Sequence, residues 1–297
     1  MELNIDGYYE IGKNHSICDD YVFTERLSDD FCYGVVLDGC TGSPSTDIGA
    51  RIVAHHVKKA IREQFKFNPL FAEADPRTLV LPVAQKIMIG EAIQTAKMMD
   101  LPRECLDVSI LIITALQRQN KTIYSVIGWG DGVAIVKRPS DIFIYSINYL
   151  PSANGEGPYY LNYHFDQPRS EMYTKCFPNE LEMRCAIVNT GDNKTVVKSD
   201  RIPFNTPTTL QIISTKSEPI SSVSVSSDGL KTFNFCQVDE DSSLIWAAKR
   251  VVDFQSIEGV FVERRMKALA RRDAKDCVNH YDDISLVSIL EIPEETQ

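Results

Sequence analysis

The chain has 297 residues, of which 43% are hydrophobic and 24% are charged, a composition typical of globular proteins. It carries 31 Lys and Arg against 41 Asp and Glu, and the net charge of −10 argues against nonspecific nucleic-acid binding, which needs dense positive charge. No apolar run approaches the roughly 20 residues that span a bilayer, so we expect no membrane segment.

The first part of the chain predicts one strand followed by two helices. Apolar alternation predicts a strand over 34–37 that ends at Asp38, and a loop rich in Gly, Ser, Thr and Pro comes next. Apolar residues at helical spacing predict a helix over 48–61. The pair Asp75-Pro76 is typical of the start of a second helix, because Asp suits the cap and Pro the first helical position.

Short β-branched segments dominate the rest of the chain, and their close spacing favours antiparallel pairing. The predicted strands are 109–116, 122–127, 132–136, 141–147, 185–188, 209–214, 221–226 and 284–290, and the predicted late helices are 243–252 and 256–272. The stretch 151–169, rich in Gly, Pro, Tyr and Asn, is predicted to be a flap or an irregular insertion. This order predicts an α+β fold in a single domain over residues 1–297.

Short acidic clusters stand where predicted strands begin or end. They are Cys18-Asp19-Asp20, Leu37-Asp38-Gly39, Gly130-Asp131-Gly132, Ser227-Asp228-Gly229 and Tyr281-Asp282-Asp283. A single Asp-Gly more often marks a turn, but several such aspartates next to apolar strands predict carboxylates that converge on a divalent cation. Mg²⁺ and Mn²⁺ prefer oxygen ligands, and Gly39 allows a sharp turn that exposes its carbonyl oxygen. The EF-hand loop, the phosphate-binding P-loop, the kinase motifs and G-x-S-x-G are absent.

Taken in order, these motifs resemble those of the type 2C protein phosphatases, a family of metal-dependent serine/threonine phosphatases. The matching residues are Gly12-x-x-His15, Cys18-Asp19-Asp20, Val36-Leu37-Asp38-Gly39, Ser109-Ile110-Leu111, Gly130-Asp131-Gly132, Ser227-Asp228-Gly229-Leu230 and Asp282-Asp283-Ile284-Ser285. The resemblance extends from about Ile11 to Leu290 and is nearest to a bacterial branch of the family. It implies two stacked antiparallel β-sheets flanked by helices on both outer faces.

The resemblance also implies a site for two Mn²⁺ or Mg²⁺ ions. Asp38 would bridge both ions and the Gly39 carbonyl would bind one of them. Asp228 and Asp282 would bind the other, and Asp19 and Asp20 would act directly or through water. Such a pair of ions activates a shared water, which as hydroxide attacks phosphorus without a covalent phosphoenzyme.

The sequence departs from the family pattern at three positions. His15 stands where an arginine grips the substrate phosphate, and it could either donate to phosphate or cap a turn. Cys40 stands where a histidine is proposed to protonate the leaving group, for which a thiol is a poor substitute. Thr232 replaces an aspartate of a third metal site, which argues against a firmly held third ion and leaves Asp131 either a ligand or a turn residue.

Two functions of different classes follow. The first is a metal-dependent phosphomonoester hydrolase acting on phosphoserine or phosphothreonine in proteins that a serine/threonine kinase has modified. The alternative is a phosphatase-like binding or regulatory module with little turnover, suggested by His15, Cys40 and Thr232. A mechanism with Cys40 as nucleophile would need a lowered thiol pKa, and the C-x-x-x-x-x-R loop of cysteine phosphatases is missing.

The sequence gives no sign of export. The N-terminus shows neither the basic start nor the apolar run of a signal peptide. The eight cysteines are scattered without a C-x-x-C pair, which predicts free thiols in a reducing cytoplasm.

Overall fold

The computed structural model describes residues 2–67, 86–152, 157–191, 195–233, 240–273 and 279–292. Two antiparallel sheets lie at its centre, one of seven strands and one of five. The strands are β1 (Glu2–Glu10), β2 (Tyr21–Ser28), β3 (Phe31–Gly39), β4 (Val108–Arg118), β5 (Lys121–Trp129), β6 (Gly132–Lys137), β7 (Asp141–Tyr149), β8 (Glu180–Asn189), β9 (Thr195–Pro203), β10 (Thr208–Thr215), β11 (Ser222–Ser226) and β12 (Ile284–Ile292). The strand orders are β1-β12-β11-β6-β7-β8-β9 and β10-β5-β4-β3-β2.

The two sheets stack face to face, and this explains why the central strand β3 is buried along almost its whole length. On β3, Val36 packs between the sheets against residues such as Val287 of β12. Its neighbours Val35 and Leu37 face the opposite way, toward helices on the outer surface. A strand buried on both faces has no solvent side, so it is read as a continuous apolar run rather than as an alternating one.

Helices cover both outer faces of the stacked sheets. Helices α1 (Thr46–Phe67) and α2 (Glu91–Met98) pack on the five-stranded sheet, and α4 (Glu240–Val251) and α5 (Phe261–Asp273) pack on the seven-stranded sheet. A further helix, α3 (Gln167–Cys176), lies between β7 and β8 in the chain. The predicted α+β arrangement of two stacked antiparallel sheets flanked by helices is therefore confirmed.

Several elements differ from the sequence prediction. Strands β1, β2 and β9 were missed, because they are half-buried or exposed and their apolar periodicity is weak. Helix α5 begins at Phe261 and not at residue 256, because the Asp6 carboxylate accepts hydrogen bonds from the backbone of Val262 (2.7 Å) and Glu263 (3.3 Å) at its first turn. The predicted helix start at Asp75-Pro76 lies outside the described residues.

The sequence predicted a flap or an irregular insertion over 151–169, but this stretch is partly helical. Its described part contains a short 3₁₀ helix, Leu161–Phe165, and the start of α3. The Asp166 side chain caps α3 by accepting a hydrogen bond from the backbone N–H of Arg169 at 3.3 Å. Proline and tyrosine in this stretch masked the helical signal, since a Pro at the first helical turn is also typical of a loop.

Two further expectations concern membranes and thiols. Among the residues that the structure describes, no helix is both long enough and apolar enough to cross a membrane. The six cysteines in the described ranges carry free thiols, as predicted.

Candidate metal centre

The predicted metal ligands come from the strand ends of both sheets. Asp38 lies near the end of β3, and Asp20 directly precedes β2 in the same five-stranded sheet. Asp131 lies in the turn between β5 and β6, and Asp228 and Asp282 flank β11 and β12 of the seven-stranded sheet. Residues far apart in sequence meet here because antiparallel pairing aligns these strand ends.

Three carboxylates form the centre of the site. One oxygen of each of Asp38, Asp131 and Asp228 lies within 4.8 Å of the others, a spacing that suits a shared cation. Burial and then the charges of Asp20 and Asp228 raise the pKa of Asp38 well above its usual value. Burial and the charge of Asp228 likewise raise the pKa of Asp131 to about 6. Clustered carboxylates with raised pKa values repel one another when ionised, so a bound cation would stabilise them.

Asp131 is held in this cluster by strand β4. Ser109 of β4 pairs with Asp38 in the β3–β4 ladder, and its hydroxyl donates a hydrogen bond to Asp131 Oδ1 at 2.7 Å. The sequence alone left Asp131 as either a ligand or a turn residue. The structure brings its carboxylate to the centre of the site, and ligation stays a prediction.

Asp20 is fully buried, with 0% of its surface exposed. Neither of its carboxylate oxygens makes a hydrogen bond of normal geometry within the described residues. Burial, and then repulsion from Asp283 and Asp228, raise the pKa of Asp20 to about 8, although the nearby hydroxyls of Ser285 and Ser227 lower it in part. A buried carboxylate without a partner lowers the stability of the fold. Asp20 is therefore suited to bind a metal cation from outside the chain.

Asp282 lies at the edge of the cluster and contacts His15. The His15 Nε2 atom is 3.3 Å from Asp282 Oδ1, and the Nδ1 atom is 3.1 Å from Asp283 Oδ1. Burial lowers the pKa of His15, but the close Asp283 carboxylate, followed by the charge of Asp282, raises it by more, so the net shift of the pKa is upward. The predicted contact of His15 with phosphate stays a prediction, because in this structure the ring faces two carboxylates.

Asp283 belongs to the motif Asp282-Asp283-Ile284-Ser285, but the motif indicates no role for its side chain. Its carboxylate accepts hydrogen bonds from the backbone N–H of Gly12 (2.7 Å) and of Asp19 (2.6 Å). It thereby fastens the loop that carries His15, Asp19 and Asp20 to the start of β12. His15, Asp19 and Asp283 also form a second group with the spacing of metal ligands. The only signal for Asp283 in the sequence was its position next to Asp282. The pair alone does not show which of the two carboxylates faces a cation.

Two glycines allow close backbone contacts at the site. A Cβ atom on Gly39 would lie 2.8 Å from Thr46 Cβ and 3.0 Å from the backbone oxygen of Asp19. A Cβ atom on Gly229 would lie only 1.8 Å from the backbone oxygen of Asp283. A larger residue at either position would therefore push apart the segments that carry the acidic side chains.

Thr232 has a structural role that the sequence did not reveal. Its hydroxyl donates to the Gly229 carbonyl at 2.8 Å and accepts from the backbone N–H groups of Tyr281 and Asp282 at 3.2 Å each. It ties the turn after Asp228 to the segment that carries Asp282. The hydrogen bonds of this hydroxyl go to the backbone, and the expected weakness of a third metal site stays a prediction.

Cys40 lies beside Tyr160, which sequence reasoning did not select. The Tyr160 side chain is 6% exposed. Burial raises the pKa of its hydroxyl well above the usual value, and the adjacent Cys40 thiol and then Asp131 add to this effect. The hydroxyl therefore keeps its proton. No sequence signal could have found Tyr160, because it is one of several tyrosines in a stretch without a motif.

The chain matches the protein phosphatase 2C family over residues 10–275. It belongs to this family. The predicted family is therefore confirmed, and family membership supports a metal-dependent protein phosphatase; nothing in the comparisons or the described residues favours the binding module. No curated protein sequence matches the chain.

Solved structures of low sequence identity share the fold. The catalytic domain of the serine/threonine protein phosphatase PstP, in complex with two manganese ions, is 13% identical, with a TM-score of 0.51 and coverage of 98% of this chain and 99% of that one. A C. elegans sex-determining protein is 14% identical, with a TM-score of 0.53 and coverage of 99% of this chain and 66% of that one. A bacterial serine phosphatase variant is 12% identical, with a TM-score of 0.52 and coverage of 99% and 100%.

Proposed function

We propose that this protein removes phosphate from phosphoserine and phosphothreonine in protein substrates, with two divalent cations, Mn²⁺ or Mg²⁺. The observation that carries the proposal is the convergence of Asp38, Asp131 and Asp228, whose carboxylate oxygens lie within 4.8 Å of one another. The family match supports a metal-dependent phosphatase. Because the related PstP structure contains manganese, Mn²⁺ is the first ion to test.

The acidic cluster fits divalent cations. We propose that Asp38, the Gly39 carbonyl, Asp228 and Asp282 hold the ions. Asp19, Asp20 and Asp131 would act as further ligands, directly or through water. When bound, a pair of such ions lowers the pKa of a shared water and offsets negative charge on the phosphoryl oxygens.

The chain's own residues would orient this site. Asp283 holds the Asp19 loop, and Ser109 holds Asp131. His15 would keep Asp282 in place through Nε2, and it could donate to a phosphoryl oxygen of the substrate only if one ring nitrogen left its carboxylate partner. Since the group at position 40 is a thiol, protonation of a poor leaving group would be slow, and aryl phosphates should react faster than phosphoserine.

We further propose that two ions bind and that a third is at most weakly held. The Lys231 side chain already places positive charge near the centre, and it offsets part of the rise that burial causes in the pKa of Asp228 and Asp131. The hydroxyl of Thr232 forms hydrogen bonds to the backbone instead of offering a carboxylate. Isothermal titration calorimetry with Mn²⁺ counts the ions, and three tight sites would contradict this part of the proposal.

Phosphate release tests the proposed reaction. With Mn²⁺ present, the purified protein should hydrolyse p-nitrophenyl phosphate and a phosphothreonine peptide, and EDTA should abolish both activities. The Asp228→Asn variant should lose activity, whereas Asp200→Asn, which removes an exposed carboxylate from β9, should not. A wild-type protein that binds the phosphopeptide but releases no phosphate would support the binding module instead.

A further inference from the structure

Strand β9 forms an exposed edge of the seven-stranded sheet. It is the last strand in the sheet order, and among the described residues no strand pairs with its outer edge. All of its residues except Ile202 are exposed, including Val196 (53%) and Val197 (47%). The backbone groups along such an edge can pair with another strand, so a long exposed edge is either protected by its sequence or bound by a partner.

The side chains of β9 lie on two faces of the sheet. The strand pairs with β8 from residue 195 to residue 203 without a bulge. Ile202 packs against the apolar cluster between the two sheets. Because side chains alternate along a strand, Val196, Lys198 and Asp200 lie on the same face as Ile202. Lys198 and Asp200 are both exposed there.

The sequence of β9 is complementary to itself in the antiparallel direction. A two-fold axis at Ser199 would place residue 198 of each copy opposite residue 200 of the other, and residue 196 opposite residue 202. Lys198 would then face Asp200 at two contacts. Val196 would face Ile202 at two more, on the same face of the joined sheet. Opposite charges and apolar pairs that lie directly across from each other stabilise antiparallel strands.

The register about Ser199 is the one that matches the charges of two paired β9 strands. Moving the axis to Lys198 would place two ammonium groups opposite each other, and moving it to Asp200 would do the same with two carboxylates. Larger shifts shorten the paired strand, whereas the axis at Ser199 pairs all nine residues. A lysine alone on an edge strand commonly blocks edge-to-edge pairing. Here the aspartate two positions later makes the strand complementary to a second copy of itself.

We propose that two copies of this chain associate through β9, so that their seven-stranded sheets join into one continuous antiparallel sheet centred on Ser199. The occupant of the edge is a second copy, because the charges and apolar residues of β9 match those of another β9. None of the proposed metal ligands lies on this strand, so the inference does not depend on the proposed function. A pair of strands buries less area than a standard interface, and we expect a dissociation constant on the order of tens of micromolar.

Charge reversal tests this contact. Lys198→Asp leaves two acidic side chains on the strand and Asp200→Lys leaves two basic ones, so each variant should repel its own copies. A mixture of the two variants restores opposite charges at both contacts, and so does the double variant. Lys216→Asp is the matched control, because it reverses an exposed lysine between β10 and β11. Sedimentation velocity from about 1 µM to about 200 µM measures association, with one variant of the mixture fluorescently labelled.

The expected result is a loss and a recovery of the dimer. Wild type and Lys216→Asp should dimerise with similar dissociation constants. Each single reversal should weaken self-association at least about tenfold. The mixture and the double variant should return to within about threefold of wild type, because the two changes compensate each other. Circular dichroism checks that every variant is folded.

A wild-type protein that stays monomeric at about 200 µM would overturn the proposal, and so would a dimer that neither reversal weakens. Weakening in both single variants without recovery in the mixture would overturn the register and the proposal with it.

A disulfide gives an independent check, which still applies if a charge reversal does not fold. In Ser199→Cys the axis would bring the thiols of two copies together, so oxidised glutathione should join them into a covalent dimer. Wild type and Ser217→Cys, whose new thiol lies in an exposed bend, should stay monomeric on a non-reducing gel. Equal cross-linking in Ser199→Cys and Ser217→Cys would contradict the proposed axis.

Discussion

Asp20 and Asp107 are both buried aspartates that directly precede a strand of the five-stranded sheet, and they differ in what surrounds them. Asp107 accepts hydrogen bonds from an arginine, an amide and a hydroxyl. Asp20 faces other carboxylates, and its oxygens make no hydrogen bond of normal geometry within the described residues. A buried charge must be compensated by a partner. Where the chain supplies that partner, the aspartate has a structural role. Where the chain does not supply it, the aspartate indicates a ligand site.

This difference predicts opposite changes in stability when a charged side chain is replaced by an uncharged one in the two regions. At the acidic cluster, loss of one carboxylate relieves repulsion, so the metal-free fold gains stability while activity is lost. At helix α3, loss of Arg169 leaves Asp107 buried without its cation, so the fold loses stability. The measurements below test this contrast, and they are ordered from the largest expected effect to the smallest.

Asp38→Asn should lower phosphate release by roughly 10³-fold or more, which corresponds to about 4 kcal/mol in the activation barrier. The reason is that Asp38 is proposed to bridge both cations. In EDTA the variant should unfold at a higher temperature than wild type, because burial and neighbouring charges disfavour the ionised Asp38. Activity with Mn²⁺ and thermal unfolding in EDTA measure the two effects. Retention of most activity would show that Asp38 is not a metal ligand.

Arg169→Met should lower the free energy of unfolding by about 3 kcal/mol, because it leaves the buried Asp107 carboxylate without its cation. The matched Arg201→Met variant should cost less than about 1 kcal/mol, since the Arg201–Glu180 pair is exposed and screened by solvent. Urea unfolding followed by circular dichroism gives both values. Equal small losses in the two variants would mean that the Asp107–Arg169 pair is no stronger than a surface pair.

The metal-free protein should lose stability as the pH rises from about 4 to about 8. Burial raises the pKa of Asp20 to about 8 and of Asp131 to about 6, so the folded state holds protons that the unfolded chain has released. The stabilisation from these two carboxyl groups is complete below the pKa that they have in the unfolded chain. It is lost as the pH rises through the pKa values that they have in the folded state. Thermal unfolding in EDTA between pH 5 and pH 8 measures this effect.

Asp20→Asn is the control for this pH dependence, and the Asn side chain does not titrate. The variant should show a shallower decline than wild type in EDTA. Saturating Mn²⁺ should remove the decline in the wild-type protein, because a bound cation favours ionised carboxylates. Identical pH profiles for the variant and wild type would contradict the charge repulsion inferred for Asp20.

Cys40→Ser should have the smallest effect, within about threefold of wild-type activity on p-nitrophenyl phosphate. The thiol is not proposed to attack phosphorus, and an aryl phosphate has a good leaving group that needs little protonation. Activity assays of both proteins with Mn²⁺ and with EDTA measure this. Loss of activity in the variant, together with wild-type turnover that survives EDTA, would establish the thiol as the nucleophile.

The sequence by itself indicated the α+β class and the acidic residues at the strand ends, because these features are local: apolar runs specify strands, and a motif such as Leu37-Asp38-Gly39 keeps its meaning within a few residues. The ordered set of motifs indicated the family by resemblance, and the resemblance implied the two stacked sheets. The sequence also provided the three departures at His15, Cys40 and Thr232.

Only the tertiary structure decided how buried charges are compensated. His15 faces Asp282 and Asp283, Thr232 bridges two backbone segments, and Arg169 of helix α3 reaches Asp107. Each of these partners lies dozens to hundreds of residues away in sequence, and no periodicity relates them. Hydrophobic patterns are set by neighbours along the chain, whereas the partner of a buried carboxylate is set by which strand ends the fold brings together.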